Sequence, residues 1–285
     1  MTPPIQNISD TARWVAVYRA METERPDAIF RDPFAARLAG KQGEEIVDTM
    51  KGGRRMAWAM IVRTAVFDEI ILDRIRNGRV DTVLNLAAGL DARAWRMPLP
   101  RDFRWIDVDL PGILDYKLET LRGETPVCNY EAVRLDLTDG AKRRALISQV
   151  SASSQRVLVV TEGLLIYLTA EQVGELGRDL HAAPNFDWWV IDLANPRLLK
   201  MMQRSWGKSV KKADAPFQFA PAESTKFFEP LGWRESSFRS SMEEARRLDR
   251  EMKGMWFWRA IGKLYPRRIQ EDFRRMSGIV LLERR

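Results

Sequence analysis

Short, largely apolar segments alternate with helical segments along most of this chain. Strands are predicted at residues 82–88, 104–109, 130–136, 156–161 and 187–193, with two more at 233–238 and 278–283. Helices are predicted between the first five strands, for example over 112–121, 141–150 and 170–181. Apolar strands that alternate with helices are typical of parallel sheets buried on both faces. We therefore predict an α/β fold in which helices cover both faces of a mostly parallel sheet.

The first part of the chain lacks this alternation and is predicted to be helical, with apolar residues at three- and four-residue spacing. We predict a helical cap over residues 1–80 and a core over residues 81–285. Within the core, residues 196–225 and 241–277 are too long to be simple loops, and we predict that both form helical lid insertions. The second insertion carries a Trp-Phe-Trp run at 256–258, which we interpret as packing within the lid.

The scarcity of cysteine and histidine excludes several kinds of site. The 285 residues include one cysteine, Cys128, and one histidine, His181. An internal disulfide, a Cys-x-x-Cys zinc site and a multi-histidine metal site are therefore excluded. His181 lies near the predicted end of a helix, where a partial positive charge is favourable, and we interpret it as structural. The composition, with 45% hydrophobic and 30% charged residues, excludes a disordered chain.

The sequence also bears on where the protein works. No stretch approaches the roughly 18 apolar residues that span a bilayer. The first thirty residues carry four acidic side chains, which a secretory signal peptide would not. We therefore expect a soluble, cytoplasmic protein without a membrane partner.

The net charge of +7 is concentrated in the last third of the chain. Residues 196–285 carry 21 lysines and arginines against 11 acidic residues, whereas the rest of the chain carries 25 against 28. One interpretation is a solvated helical face, on which basic side chains cover apolar surface. Another is a basic rim that attracts an anionic substrate or an acidic partner protein. A third is a nucleic-acid-binding surface, but the aromatic residues at 256–258 are clustered and not interleaved with basic ones.

Glycine and acidic residues follow the predicted strands where each strand ends. Gly89 lies in the turn after the first strand. Acids close the next three strands, at Asp109, Asp136 and Glu162. Ligands of an open parallel sheet bind at the carboxyl ends of its strands, and an acid at the second strand end is the usual partner of a ribose diol. The other interpretation is that these acids cap the helices that follow.

The same turns indicate which ligand to expect. The turn after the first strand contains a single glycine, Gly89, where a dinucleotide-binding turn needs G-x-G-x-x-G. A cofactor with a ribose but no phosphates therefore fits best, and S-adenosylmethionine is such a ligand. A competing hypothesis is a nucleotide-sugar transferase, in which Asp107 and Asp109 would bind a divalent metal.

Several stretches resemble the leucine carboxyl methyltransferase family of class I methyltransferases, which includes bacterial polyketide carboxyl O-methyltransferases. They are TARWVAVYRAMETERPDAIFRDPFAARLAG, VLNLAAGLDARAWRM, RWIDVDLPGILDYK, VRLDLTD, VVTEGLLIYL and FFEPLGW. The resemblance implies a Rossmann-like sheet of seven strands, mostly parallel, with the last strand antiparallel. It also implies S-adenosyl-L-methionine as cofactor, S-adenosyl-L-homocysteine as its product, and no metal.

The resemblance assigns roles to residues at the strand ends. Gly89 would lie under the methionine part of the cofactor, and Asp109 would hold the ribose. Asp136 and Leu137 would frame the adenine. Asp107 lies two residues before Asp109 and therefore on the same face of the strand, so the two acids could exchange roles.

Three further residues are assigned, by the same resemblance, to the amino-acid end of the cofactor. Glu162 would lie near the amino group, and Arg63 matches the arginine that holds the carboxylate. Arg13 matches a second basic residue near that carboxylate. Trp95 and Tyr167 we interpret as core residues.

The expected reaction is methylation of an oxygen, and specifically of a carboxylate. The acceptor would be a small-molecule acid, such as a polyketide or another secondary metabolite, either on its own or bound to a carrier protein. A carboxylic acid with a pKa of about 4 is ionised at neutral pH, so no residue is predicted as a catalytic base. The alternative is methylation of a hydroxyl on an aromatic natural product, which would require a base. Nucleic acid is not expected as a partner, and the oligomeric state is left open.

Overall fold

A computed structural model describes residues 10–49, 52–212, 216–252, 254–255 and 265–285. Within these ranges one sheet contains β1 (Thr82–Leu86), β2 (Arg104–Asp109), β3 (Asn129–Arg134), β4 (Val157–Thr161), β5 (Phe186–Ala194), β6 (Trp233–Ser240) and β7 (Ser277–Arg284). The order across the sheet is β3-β2-β1-β4-β5-β7-β6. Neighbouring strands are parallel, except that β7 is antiparallel to both β5 and β6. The predicted seven-stranded, Rossmann-like sheet with an antiparallel last strand is confirmed.

Helices connect most of these strands. In the described ranges they are α1 (Asp10–Thr23), α2 (Ala35–Thr49), α3 (Ala57–Arg76), α4 (Arg93–Arg96), α5 (Pro111–Thr120), α6 (Gly140–Ala152), α7 (Ala170–Ala182), α8 (Pro196–Lys212), α9 (Ser241–Arg247) and α10 (Arg267–Arg274). Local sequence sets some boundaries. α5 begins at Pro111, whose fixed φ suits a first helical turn. α7 begins with a capping box, in which Thr169 and Gln172 each bind the other's backbone N–H through their side chains.

Two apolar clusters fill the two faces of the sheet, because successive strand residues point to opposite sides. Val83 of β1 packs in one cluster with Phe67 of α3. Its neighbour Leu84 packs in the other cluster with Leu176 of α7. Trp95, interpreted as a core residue, belongs to the first cluster. Helices therefore cover both faces, as predicted.

The N-terminal helices cover the first of these faces. Trp14 of α1, Leu38 of α2 and Phe67 of α3 share one apolar cluster with strand residues such as Val83 and Val160. The segment is thus packed directly on the sheet. Its division from the rest of the chain, as a cap over 1–80 and a core over 81–285, stays a prediction.

Both segments that are predicted as lid insertions contain helix. Residues 196–225 include α8, and residues 241–277 include α9 and α10. The Trp-Phe-Trp run at 256–258 lies outside the described residues. Among the residues that are described, no helix combines the length and the hydropathy that crossing a bilayer requires.

The strand order reverses at β1, which lies between β2 and β4. From β1 the chain builds the sheet outward to β3 and then returns to continue it on the other side. Sheets of this kind leave a crevice beyond the carboxyl ends of the strands at such a switch point. The fold therefore places a binding site beside the turns that follow β1 and β4.

Candidate active site

A cavity of about 1440 Å³ lies beyond the carboxyl ends of β1, β2, β4 and β5. Residues of α1, α3 and α8 form its other walls. Six of the seven predicted site residues line it, namely Arg63, Gly89, Asp109, Asp136, Leu137 and Glu162. The topology thus gathers residues that are as much as 99 positions apart in the sequence.

The turn after β1 has an unusual backbone. Ala87 (φ 55°) and Gly89 (φ 53°) both adopt left-handed conformations. For a non-glycine residue such as Ala87 this costs on the order of 1 kcal/mol, a strain that is concentrated at ligand-binding turns. A Cβ atom on Gly89 would lie 3.1 Å from the Cβ of Ala12 on α1. A side chain at this position would therefore sit on strained backbone and press against α1, whereas glycine leaves the backbone open to close approach.

Asp109 ends β2 beside this turn and faces the cavity. Its Oδ2 accepts the N–H of Gly89 at 2.6 Å, and its Oδ1 accepts the N–H of Leu110 at 2.7 Å. Burial raises the pKa of the Asp109 carboxyl, and these two backbone N–H groups oppose the rise. Each oxygen retains a lone pair. The carboxylate can therefore accept two further hydrogen bonds, such as those of a diol.

Asp107, the alternative to Asp109, has a different environment. It accepts hydrogen bonds from Trp105 Nε1 at 2.8 Å, Asn85 Nδ2 at 2.8 Å and Lys117 Nζ at 2.5 Å. The side chains of Asp107 and Lys117 are 1% and 0% exposed. Asp107 does not belong to the cavity lining. The Asp107-x-Asp109 pattern therefore does not present two carboxylates to one ion, which argues against a nucleotide-sugar transferase.

Glu162 follows β4 and lies between two arginines. Its Oε1 accepts from Arg63 Nε at 3.0 Å, and its Oε2 lies 2.8 Å from Arg93 Nη1. Arg63 Nη1 also donates to Asp192 of β5 at 3.1 Å. Burial alone would lower the pKa of Arg63, but the carboxylates of Asp192 and Glu162 raise it overall. Arg63 thus stays a cation on the cavity wall.

Arg93 anchors this group of charges in the interior. Its side chain is 2% exposed, and it donates to Asp68 of α3 at 2.6 Å and to Asp91 at 2.7 Å. Burial alone would raise the pKa of Asp91, but the charges of Arg93 and Lys117 lower it overall. Arg93 was not predicted as a site residue. Its partners come from three separate segments, and only the fold shows that they share one arginine.

Asp136 and Leu137 lie in the loop after β3, where they also line the cavity. The exposed Asp136 accepts the N–H and the hydroxyl of Thr138 at 2.9 and 2.7 Å. The carbonyl of Leu137 accepts Arg143 Nη1 at 2.7 Å. These bonds fix the loop, so that the Leu137 side chain forms part of the wall.

Arg13 does not join the other predicted residues. Its guanidinium lies 3.8 Å from the centre of the Tyr116 ring, and it is not part of the cavity lining, although Ala12 and Trp14 are. Tyr167, in contrast, lies in the cavity wall although it was not predicted there. It was interpreted as a core residue. Burial raises the pKa of Tyr167, so its hydroxyl stays protonated at neutral pH.

The single histidine lies outside this cavity. His181 packs edge-on against Trp233, with 5.9 Å between the ring centroids. Burial and the charge of Arg284 lower the pKa of His181. It is not part of the cavity lining. These contacts support the structural interpretation of His181.

Methionine is abundant on the cavity wall. The residues that we call the methionine lining are Met56, Met60, Met201, Met202, Met242, Met252, Met255 and Met276. They belong to four separate parts of the chain, so no local sequence pattern predicts that they line one cavity. Because methionine side chains are unbranched and flexible, they adapt to apolar ligands of varied shape.

Two solved structures share the fold. A provisionally named methyltransferase from Thermobifida fusca YX has a TM-score of 0.59 at 12% identity, with coverage of 100% of this chain and 97% of the other. A DUF574 family protein from Streptomyces avermitilis has a TM-score of 0.58 at 12% identity, with coverage of 95% and 97%. At such low identity these likenesses show the fold alone.

Curated relatives are more similar in sequence. A provisionally named S-adenosyl-L-methionine-dependent methyltransferase of Parafrankia sp. is 36% identical over 183 residues, which are 61% of this chain and 58% of the relative. A similarly named protein of Streptomyces coelicolor is 36% identical over 177 residues, 57% and 60% of the two chains. The chain therefore spans about six-tenths of the length of these relatives.

A family model also matches the chain. The model described as leucine carboxyl methyltransferase matches residues 12–180. The matched range contains β1 to β4 and the cavity residues from Arg63 to Glu162. Since the match covers more than half of the 285 residues, the chain belongs to the leucine carboxyl methyltransferase family.

Proposed function

We propose that the protein is an S-adenosyl-L-methionine-dependent O-methyltransferase that converts the carboxylate of a small-molecule acid into a methyl ester. Family membership and the names of the relatives support the cofactor and the reaction type. The observation that carries the proposal is the meeting of Asp109, Glu162 and Arg63 in one cavity. These three charges complement the ribose diol, the amino group and the carboxylate of the cofactor.

The residues present fit this cofactor. Asp109 would accept the two ribose hydroxyls through the lone pairs that its backbone partners leave available. Because Gly89 has no Cβ, its backbone could lie against the methionine part. Leu137 would form an apolar wall for the adenine. Glu162 would attract the amino group, and Arg63 the carboxylate.

When bound, S-adenosyl-L-methionine supplies an activated methyl group. The chain's own residues then have to orient the acceptor and exclude water. Three of the carboxylates that line the cavity, those of Asp91, Glu162 and Asp192, each pair with an arginine, which makes them poor general bases. The other two, Asp109 and Asp136, are assigned to the ribose and the adenine of the cofactor. A carboxylate acceptor is already ionised at neutral pH, whereas a hydroxyl acceptor would need a base. The engaged acids therefore support a carboxylate acceptor.

The family resemblance suggests the setting of the reaction. It favours a polyketide or another secondary-metabolite acid as acceptor, either on its own or attached to a carrier protein. These parts of the proposal depend on the resemblance and not on a contact in the cavity.

Calorimetric titration with S-adenosyl-L-homocysteine tests the proposal. We expect a Kd in the micromolar range, about −8 kcal/mol. Asp109→Asn should weaken binding by roughly 1.5–3 kcal/mol, because the diol loses a charged acceptor. Asp102→Asn changes an exposed acid in the loop before β2 and serves as the control. Absence of binding to the wild-type protein at millimolar ligand would contradict the proposal.

The alternative functions predict different results. A nucleotide-sugar transferase would require manganese or magnesium, and a nucleic-acid-binding protein would retain DNA or RNA in a salt-dependent manner. Either behaviour in a protein that does not bind S-adenosyl-L-homocysteine would replace the proposed function.

A further inference from the structure

We propose that the methyl acceptor is an amphipathic acid that carries two anionic groups. One carboxylate is methylated, the apolar body lies against the methionine lining, and the second anionic group binds three basic side chains of α8. These side chains are Arg197, Lys200 and Arg204, which we call the α8 basic stripe. The inference rests on the proposed function and adds the class of substrate.

The α8 basic stripe lines a groove that shares part of its wall with the cavity. The groove has a volume of about 830 Å³, and its walls include the stripe and Phe273 of α10. Four residues belong to the walls of both the groove and the cavity: Met201, Arg204, Ser205 and Met276. The groove and the cavity therefore adjoin along α8, within reach of one elongated ligand.

The three basic residues lie on one face of α8. Their spacing of three and four residues places them side by side, and the helix rise of about 1.5 Å per residue separates the Cα atoms of Arg197 and Arg204 by roughly 10 Å along its axis. All three are exposed. Among the described residues, no carboxylate lines the groove. Like charges at this spacing repel one another, and an anion between them relieves the repulsion.

Two other arginines near this end of the chain have carboxylate partners. Arg274 lies 3.0 Å from Glu243, and Arg275 lies 2.5 Å from Glu235. In contrast, the α8 basic stripe forms no ion pair within the described part of the chain. Arg197 instead stacks over the ring of Phe273 at 4.8 Å, which orients its guanidinium in the groove. The stripe is therefore a local surplus of positive charge beside the cavity.

The apolar surroundings distinguish a small amphipathic ligand from a nucleic acid. Met201 lies between the cations of the stripe and is 52% exposed. A polyanion would leave this apolar surface in water, whereas an acid with an apolar body covers it. The groove also shares Met201 and Met276 with the methionine lining, so an apolar body that extends from one to the other stays on apolar surface. The combination favours a substrate with an anion at each end of an apolar body.

Calorimetry on the 285-residue protein saturated with S-adenosyl-L-homocysteine tests this inference. The probes are straight-chain α,ω-dicarboxylic acids of about eight to sixteen carbons and the monocarboxylic acids of the same lengths. We expect at least one diacid to bind about tenfold more tightly than the matched monoacid, as a charge-assisted contact allows. This preference should weaken as the salt concentration rises.

Two matched variants identify the second anion site. R197Q/K200Q/R204Q should abolish the preference for the diacid and leave the affinity for S-adenosyl-L-homocysteine unchanged. R246Q/R267Q/R268Q removes three exposed cations outside the groove and should keep the preference.

Three results would overturn the inference: no probe binds, no diacid is preferred, or the preference survives in the stripe variant. Each of them leaves the proposed function standing if S-adenosyl-L-homocysteine binds. A wild-type protein that does not bind S-adenosyl-L-homocysteine instead contradicts the proposed function itself.

Discussion

Replacing Arg93 by methionine is expected to destabilise the protein strongly. The Arg93 side chain is 2% exposed and lies 2.6–2.8 Å from carboxylate oxygens of Asp68, Asp91 and Glu162. Asp68 and Glu162 each keep a second arginine in the variant, so the loss falls mainly on Asp91. Removing one partner of a buried ion pair leaves an uncompensated charge and costs about 3–5 kcal/mol. We expect a loss of this size in the free energy of unfolding at pH 7.

The loss should depend on pH in a defined direction. Burial alone would raise the pKa of Asp91, but Arg93 and Lys117 lower it overall. A lowered pKa gives stability that is present above the unfolded-state pKa of about 4 and is lost as the pH falls through the folded-state value. In Arg93→Met, Asp91 stays buried but loses its nearest cation, so the pKa of Asp91 rises. The difference between variant and wild type is therefore largest at neutral pH and shrinks below about pH 5.

Urea denaturation followed by tryptophan fluorescence, at neutral and at acid pH, measures this difference. Arg122→Met is the control, because it removes an ion pair with Glu119 whose side chains are 78% and 62% exposed. An exposed pair contributes only about 0–1 kcal/mol. A loss below about 1 kcal/mol for Arg93→Met, or a loss that does not change with pH, would refute the reasoning.

Three further substitutions have distinct expected outcomes. Asp107→Asn should lower the free energy of unfolding by about 3–5 kcal/mol, because Lys117 stays buried without its carboxylate. In calorimetry it should change the affinity for S-adenosyl-L-homocysteine less than Asp109→Asn does. The reverse order would contradict the placement of Asp109 in the cavity and of Asp107 outside it. Gly89→Ala should raise the Kd for S-adenosyl-L-homocysteine at least about tenfold, or 1.4 kcal/mol, since the residue has a φ of 53° and its new Cβ would press against α1; an unchanged Kd would count against close approach at this turn. His181→Ala should retain most methyl-transfer activity, because His181 does not line the cavity; an inactive but folded variant would point to a hydroxyl acceptor.

Most of the sheet could be predicted because burial on both faces leaves a simple signature. The largely apolar runs at 82–86 and 157–161 are buried along their whole length, and both are central strands. The gathering of Gly89, Asp109 and Glu162 needed only the topology, since parallel strands end at the same edge. The first predicted strand extended to residue 88, whereas β1 ends at Leu86. Ala87 adopts a left-handed conformation there. This conformation is uncommon for alanine, so the sequence does not predict it.

The remainder depends on packing between distant segments. Asp107 and Asp109 share one face of β2, and it is Lys117 of α5 that makes Asp107 a buried partner. Arg13 lies between Ala12 and Trp14, which both line the cavity. The rotation of α1 against its neighbours, which sequence periodicity does not fix, turns Arg13 toward Tyr116.

The methionine lining also could not be predicted from the sequence. Met56, Met201, Met242 and Met276 belong to four separate parts of the chain, yet they line one cavity. Hydrophobic periodicity marks a methionine as buried or exposed within its own helix. It carries no information on which other helix that residue faces.

The fate of the reaction product in mild alkali tests the proposed chemistry most directly. The protein is incubated with S-adenosyl-L-methionine that carries a labelled methyl group, together with acids from a substrate screen, and volatile label is collected after alkali treatment. We predict labelled methanol, because a methyl ester hydrolyses under these conditions. We also predict a rate of formation that is flat from about pH 6 to 9, since the acceptor is already ionised. A labelled product that survives the alkali, formed at a rate that rises through neutral pH, would contradict a carboxylate acceptor.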